Sequence, residues 1–390
     1  MARSHYLVTV PAEPIFHRPP PTARMPFSDA DLDFLLHLLR TPSPTGFEAP
    51  GQRVWAAHVR GFADRLEQDA YGNAWATRDG AGGPRLMLEA HADEIGFAVK
   101  HVTDDGFVRV DRIGGTDHAI ARARRVVFAG SDGPVAGILG HTAIHLRDRD
   151  DEKVPKVEDL YVDVGARDAA GVAALGLRVG HPGVYADAAE RTGAGHTGEG
   201  RVSGRALDNR VGGFVLARVF AALARGERIA ATVVALNAVQ EEIGGNGAKM
   251  ATHAIRPDVA VVLDVTHATD TPGIEAAKHG RITLGGGPSV THGTVNHPAV
   301  VARLVAVAEA EGIPLQHESS SRYSGTDTDV IFTSRAGIPS ALVSIPMRYM
   351  HSTVETVDVV DVAHTVALLV AFARSIRADD TFRTDVLGDA

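Results

Sequence analysis

Five short polar clusters carry residue types that do chemistry: His91-Ala92-Asp93, Asp208-Asn209, Glu241-Glu242, Asp264 and His351. Each stands just past a stretch that reads as a strand or at the start of one that reads as a helix. Open α/β sheets bind ligands at that edge, beyond the carboxyl ends of their strands. Two histidines and several carboxylates converging there form the donor set of zinc, cobalt or manganese. The 390 residues include no cysteine, which excludes thiolate metal sites, iron–sulfur clusters, thiol nucleophiles and disulfides together. Any metal must rest on His, Asp and Glu.

His91 and Asp93 are two residues apart, so on an extended backbone both project to one side. Asp93 can then hold the His91 imidazole in the tautomer a metal needs. The plainer reading is a buried histidine beside a turn-forming aspartate. Asp208 heads a helix, where a carboxylate either caps the first turn or bridges two metals. Glu241 and Glu242 directly follow an apolar run and would repel and desolvate one another without a cation. Their side chains point in opposite directions, so one can bind metal while the other reaches a water as general base. A solvated strand end is the alternative. Asp264 closes the run Val259 to Leu263 and needs a partner if buried, with His267 and Asp270 as nearby loop alternatives. His351 gains meaning only from this company.

The elements that must position these groups can be read from periodicity. Ser28 and Asp31 form a capping box ahead of Leu32, Leu35, Leu36 and Leu39 at helical spacing. Val54, Trp55, Val59 and Phe62 mark a second helix, and Arg85 to Ala90 a buried strand. From Gly96 to about residue 195 the texture changes to short β-branched runs between glycine turns, as in a small antiparallel β domain. After Gly204 helices and strands alternate again: helix Asp208 to Ala224, strand Ile229 to Val239, helix Gly247 to Ile255, strand Val259 to Leu263, helix Pro298 to Glu311, strand Pro314 to His317, helix Thr326 to Ser334, strand Ser340 to Ile345 and helix Val357 to Ile376. That alternation predicts an α/β sheet with helices on both faces. The expected organisation is an extended N-terminal arm (1–27), a catalytic α/β domain built from 28–95 and 196–390, and an inserted β-rich domain (96–195).

Hydrophobic residues make up 44% and charged residues 22% of the chain, the balance of a folded globular protein. The net charge of −9 argues against nucleic acid or an anionic membrane as partner. No apolar segment is long enough for a secretory signal or a membrane span, so a cytoplasmic protein is expected.

The stretches HADEIGF (His91 to Phe97), ALDNRVG (Ala206 to Gly212), VQEEIGGNGA (Val239 to Ala248), LDVTHATDTPG (Leu263 to Gly273), SGTDTDVIFTSRAGIP (Ser324 to Pro339) and RYMHS (Arg348 to Ser352) together resemble the tetrahedral, or glutamyl and deblocking, aminopeptidases. The likeness runs in order from about Ser43 to the C-terminal helix. It implies a phosphorylase- or aminopeptidase-like α/β sheet with an inserted, barrel-like dimerisation domain. It further implies two divalent ions per subunit, zinc first with cobalt or manganese as alternatives. In that scheme His91 and Asp264 bind one ion, Glu242 and His351 the other, and Asp208 bridges both. Glu241 is the general base and Asp93 orients His91. Short peptides are the implied substrates, and dimers building a twelve-subunit shell the implied assembly. A related di-metal hydrolase of an acylated or biosynthetic dipeptide is the alternative. Gly285-Gly286-Gly287 and Ser324-Gly325-Thr326 are expected to shape the substrate pocket. Arg322 and Arg348 are candidates for favouring acidic N-terminal residues, with a structural ion pair as their other reading.

Overall fold

The computed structural model describes residues 27–147, 153–193, 195 and 200–387. The expected arm lies outside the described residues, except Phe27. That ring is buried and packs edge-on against Phe214 at 5.1 Å.

In chain order, α1 (Asp29–Arg40) and α2 (Ala49–Val59) precede β1 (Arg65–Gln68), β2 (Ala74–Arg78) and β3 (Arg85–His91). Next come β4 (Gly96–Val102), β5 (Phe107–Ile113), β6 (Arg125–Gly130), β7 (Gly133–Leu139), β8 (Tyr161–Asp163), α3 (Ala169–Ala174) and β9 (Pro182–Tyr185). The chain returns through β10 (Glu190–Thr192) and β11 (Arg201–Gly204) to α4 (Leu207–Ala224), β12 (Thr232–Ala238), α5 (Asn246–Ile255), β13 (Val259–His267) and α6 (Ala276–His279). It ends with β14 (Ser289–Gly293), α7 (Pro298–Glu311), β15 (Gln316–Ser320), α8 (Thr328–Ile331), β16 (Ser340–Arg348), β17 (Glu355–Asp358) and α9 (Val359–Ser375).

An eleven-stranded sheet runs β1-β2-β12-β3-β13-β16-β17-β11-β10, with β14 and β15 branching from β16. Its centre, β12-β3-β13-β16, is parallel. These strands are buried along almost their whole length, as strands covered on both faces must be. The helix α4 buries Val211, Phe214, Val215, Val219 and Phe220 against one face, each apolar side chain contributing about 1.5–3 kcal/mol. On the other face α5 packs Ala248, Ala251 and Ile255 over Met87, Leu236 and Val262. The capping box of α1 is formed, and Leu32, Leu35, Leu36 and Leu39 are all buried.

The six strands β4 to β9 close into an antiparallel barrel in the order β4-β5-β8-β7-β6-β9. The barrel has a separate core of Phe97, Phe128, Val108, Val162 and Tyr185. β10, within the segment expected to belong to the insertion, pairs instead with β11 in the large sheet. The strands β11, β14 and β17 were not placed by the sequence reading. The helix expected over Thr326 to Ser334 shortens to the single turn α8. Among the described residues, no helix is long and apolar enough to cross a membrane.

Candidate metal centre

All seven expected site residues meet at the carboxyl edge of the four parallel strands. His91 is the last residue of β3, and Glu241 and Glu242 follow β12. His351 follows β16. Asp264 lies inside β13 rather than at its end, because that strand runs on to His267. Asp208 enters from the start of α4. Its backbone (φ −77°, ψ 108°) and that of Asn209 are not helical, and the peptide between them is cis. Asn209 takes the capping part instead, its Oδ1 accepting the Gly212 N–H at 3.2 Å. The Asp208 carboxylate is thereby left for other partners.

Those partners are the two histidines. Asp208 Oδ1 lies 3.1 Å from His91 Nε2, and its Oδ2 lies 3.4 Å from His351 Nε2. Around His91 Nε2, Glu241 and Asp264 each place an oxygen at 3.9 Å. Around His351 Nε2, Glu242 places one at 3.4 Å. His91, Asp208 and Asp264 bring ligand atoms within 4.8 Å of one another, as do Asp208, Glu242 and His351 and also His91, Glu241 and Glu242.

Asp93 does more than the expected orienting of His91. Its Oδ1 faces His91 Nδ1 at 3.3 Å and accepts the Glu241 N–H at 3.1 Å, while Oδ2 accepts the Glu242 N–H at 3.2 Å and the Thr45 hydroxyl at 2.8 Å. One buried carboxylate therefore fixes both neighbouring acids and one histidine. His351 Nδ1 faces the Gly115 carbonyl at 3.1 Å. A carbonyl only accepts, so Nδ1 carries the proton and Nε2 is the ligand face.

The electrostatics call for cations. Burial pushes Glu241 up to about 9, with Asp327, Glu242 and Asp208 adding repulsion. Burial likewise raises Glu242 and Asp264. His351 is pushed up to about 11 by its bonds to Asp208 and Glu242. Burial opposes charge on His91, yet Asp208 and Asp93 hold it well above the ordinary histidine value. In the metal-free protein, then, protons on acids and histidines substitute for missing positive charge. Beneath the site, Glu89 and Asp327 form a further buried acid pair, Glu89 raised to about 8 by burial. The donor set, oxygen-rich with two imidazoles, fits divalent ions of the zinc, cobalt and manganese class.

A cavity of about 660 Å³ opens over these groups, walled by Thr266, His267, Ser324 to Thr326, Val330 and Met350. The Ser324 turn is therefore in the wall, as expected. Gly285-Gly286-Gly287 is not: the N–H groups of Gly285 and Gly287 each donate at 2.7 Å to the buried Asp361 carboxylate of α9. Arg348 is a structural ion pair with Asp270 at 2.8 Å, which also removes Asp270 as a ligand alternative. Arg322 lies over the Tyr323 ring, and neither arginine lines the cavity. His267 stands in the wall and outside the three ligand groups.

Four supporting residues were not singled out from sequence. Glu94 is buried between Arg205 and Arg210, and Arg210 also donates to the Ala92 carbonyl, tying the His91 loop to α4. Glu355 and Gly115 support His351. Glu94 and Arg210 stood in quoted motifs, and an acid four residues past His351 was a signal for Glu355. Nothing local marked Gly115.

The sequence profile of the M42 glutamyl aminopeptidases matches residues 72–368. The chain belongs to this family. It is thereby an aminopeptidase, and the M42 peptidases are metallopeptidases. A lysyl aminopeptidase of Pyrococcus furiosus is 33% identical over 90% of this chain and 99% of its own length. An aminopeptidase from the archaeon Desulfurococcus kamchatkensis superposes with a TM-score of 0.84 at 32% identity, covering 92% of this chain and 99% of its own. The TET1 peptidase of Pyrococcus horikoshii, which can assemble into a tetrahedron or a large octahedral shell, superposes at 0.78 with 26% identity, covering 89% of this chain and all of its own.

Proposed function

We propose that this M42 protein is a two-metal aminopeptidase that removes the first residue from short peptides, with Glu241 as general base. The observation that carries the reading is the Asp208 carboxylate, whose two oxygens face the two histidines while further acids stand on either side. His91 and Asp264 would hold one ion, Glu242 and His351 the other, with Asp208 shared and zinc, cobalt or manganese as the ion. Bound there, divalent ions would supply Lewis-acid polarisation of the scissile carbonyl and of a water, and their charge would keep Glu241 ionised.

Glu241 sits 14% exposed at the mouth of the group, where a water can reach it. It accepts a proton from that water as the oxygen attacks the carbonyl carbon. It returns the proton to the leaving nitrogen as the C–N bond breaks. Asp208, Glu241, Glu242, Asp264 and Asp329 line the cavity, and among the described residues no Lys or Arg does. A free α-ammonium finds acceptors there, which directs cleavage to the N-terminal bond. The barrel would form the dimer contact, and dimers would build a closed shell.

The test uses protein stripped of metal and restored with zinc, cobalt or manganese, assayed on aminoacyl p-nitroanilides and short peptides, free and N-acetylated. Metal-dependent release from free N-termini is expected, with Glu241→Gln slower by about 10²–10⁴-fold at unchanged metal content. Silence on every peptide with two ions bound would point to the small-molecule amide alternative. Silence with no ion bound would remove the enzyme reading.

A further inference from the structure

We infer that Glu355 is the positioning residue that assembles the His351 half of the centre, an inference that rests on the two-metal reading above. Glu355 opens β17 and is 1% exposed. Its Oε1 accepts the His351 backbone N–H at 3.0 Å, and its Oε2 accepts the Asp208 backbone N–H at 3.1 Å. One carboxylate thus bolts the turn after β16 to the non-helical start of α4. The side chains of those same two residues approach to 3.4 Å on the cavity side.

Neither segment holds itself. Tyr349 and His351 have φ of +62° and +59°, and Ala206 has +63°, the left-handed region that side chains other than glycine rarely adopt. Such conformations persist where surrounding bonds over-determine them. A buried carboxylate is a costly way to fill space. Val357 and Val359 beside it show that apolar residues pack here without difficulty. Among the described residues no Lys or Arg pairs with Glu355, so its two backbone bonds are what it does. Its two hydrogen bonds go to Asp208 and His351, and the further ligand whose charge it feels is Glu242, on the His351 side.

The experiment strips and reloads full-length wild type, Glu355→Gln and Glu355→Ala with zinc. Ions per chain are counted by mass spectrometry and affinities measured by calorimetry, beside thermal unfolding of the metal-free proteins. Glutamine keeps the shape but turns an N–H towards one of the two N–H groups. The expected result is two ions in wild type. In Glu355→Gln one ion should keep its affinity and the other bind about 10–100-fold more weakly, with metal-free unfolding near wild type. Glu355→Ala should lose the weaker ion altogether; should it not fold, the near-isosteric glutamine variant decides. Two ions at wild-type affinity in Glu355→Gln overturn the inference, even if its unfolding midpoint drops, since that is a purely structural residue. Fewer than two ions in wild type overturn the two-metal reading itself, a different and recognisable failure.

Discussion

The two halves of the centre are held by different kinds of structure. His91 and Asp264 stand on adjacent central strands, packed between layers of helices, and the His91 side chain is 2% exposed. His351 stands on an irregular turn with its side chain 33% exposed. It is fixed by Glu355 from behind and by the Gly115 carbonyl from the barrel. The first half inherits its geometry from the sheet, which the hydrophobic core already determines. The second is assembled from three parts of the chain that meet only when the barrel is seated against the catalytic layer. In the proposed centre the barrel therefore contributes a support for His351, through the Gly115 carbonyl.

In the proposed centre Asp208 is the one ligand shared by both halves, so its removal should give the largest effect. In Asp208→Asn one oxygen remains for His91 or His351, and the amide presents N–H groups to the other. Both ions should be lost or exchange rapidly, and activity should fall to background. Metal counting after desalting checks this. A variant that keeps two ions would show that Asp208 bridges nothing and that the halves are independent.

Gly115→Ala isolates the turn-held half. A Cβ there would lie 2.5 Å from His351 Nδ1, too close for the ring to stay. The ring should tilt away from Asp208 and Glu242, with activity lower by about 100-fold, the cost of roughly 1 Å of misplacement. The His91-side ion should remain. Unchanged kcat/KM in Gly115→Ala would mean that the barrel does not support the site.

This contrast also explains what was legible in the sequence. The sheet-held half was readable, because Leu86 to Leu88 and Val259 to Leu263 are short apolar runs leading to polar residues, and strand ends have a known place in such folds. Glu241 and Glu242 announced themselves as acids with no local reason to be adjacent. The order of the six motifs then supplied the partners. The support for His351 was opaque because it is non-local: Gly115 stands in a barrel connection, and its closeness to His351 exists only in three dimensions. Local pattern also misled at Gly285 to Gly287, a glycine run that suggests a substrate wall yet serves to hold Asp361. β17 was missed because Glu355 to Asp358 (ETVD) is only four residues long, holds a single apolar residue and runs directly into α9, whose helical period dominates the reading.

Asp93→Asn sharpens the comparison from the sheet-held side. The amide oxygen can still face His91 Nδ1 and the Glu241 N–H in place of Oδ1, while its NH2 replaces the oxygen that accepted from the Glu242 N–H, and it cannot supply negative charge to His91. The His91-side ion should bind about 10–100-fold more weakly, while the His351-side ion changes little. Calorimetric titration of the metal-free variant separates the two. Equal weakening of both would show that Asp93 acts mainly through the backbone of the two glutamates, and so on both halves at once.

The smallest effect concerns the order in which the ions leave. A chelator or a competing proton reaches an exposed ligand before a buried one, and His351 is the exposed histidine of the pair. Both histidines are pushed above the ordinary histidine range, His351 to about 11, so protons compete with an ion on either side and lowering the pH weakens both; exposure is what sets the order. Limited chelation of the two-ion protein, or brief exposure to mildly acidic buffer, should therefore remove one ion per chain several times faster than the second. The ion that stays should be the one beside His91. With cobalt in both positions, the visible spectrum of the half-stripped protein should match that of Gly115→Ala. If it matches Asp93→Asn instead, the sheet-held half is the labile one, and burial of His91 does not translate into slower release.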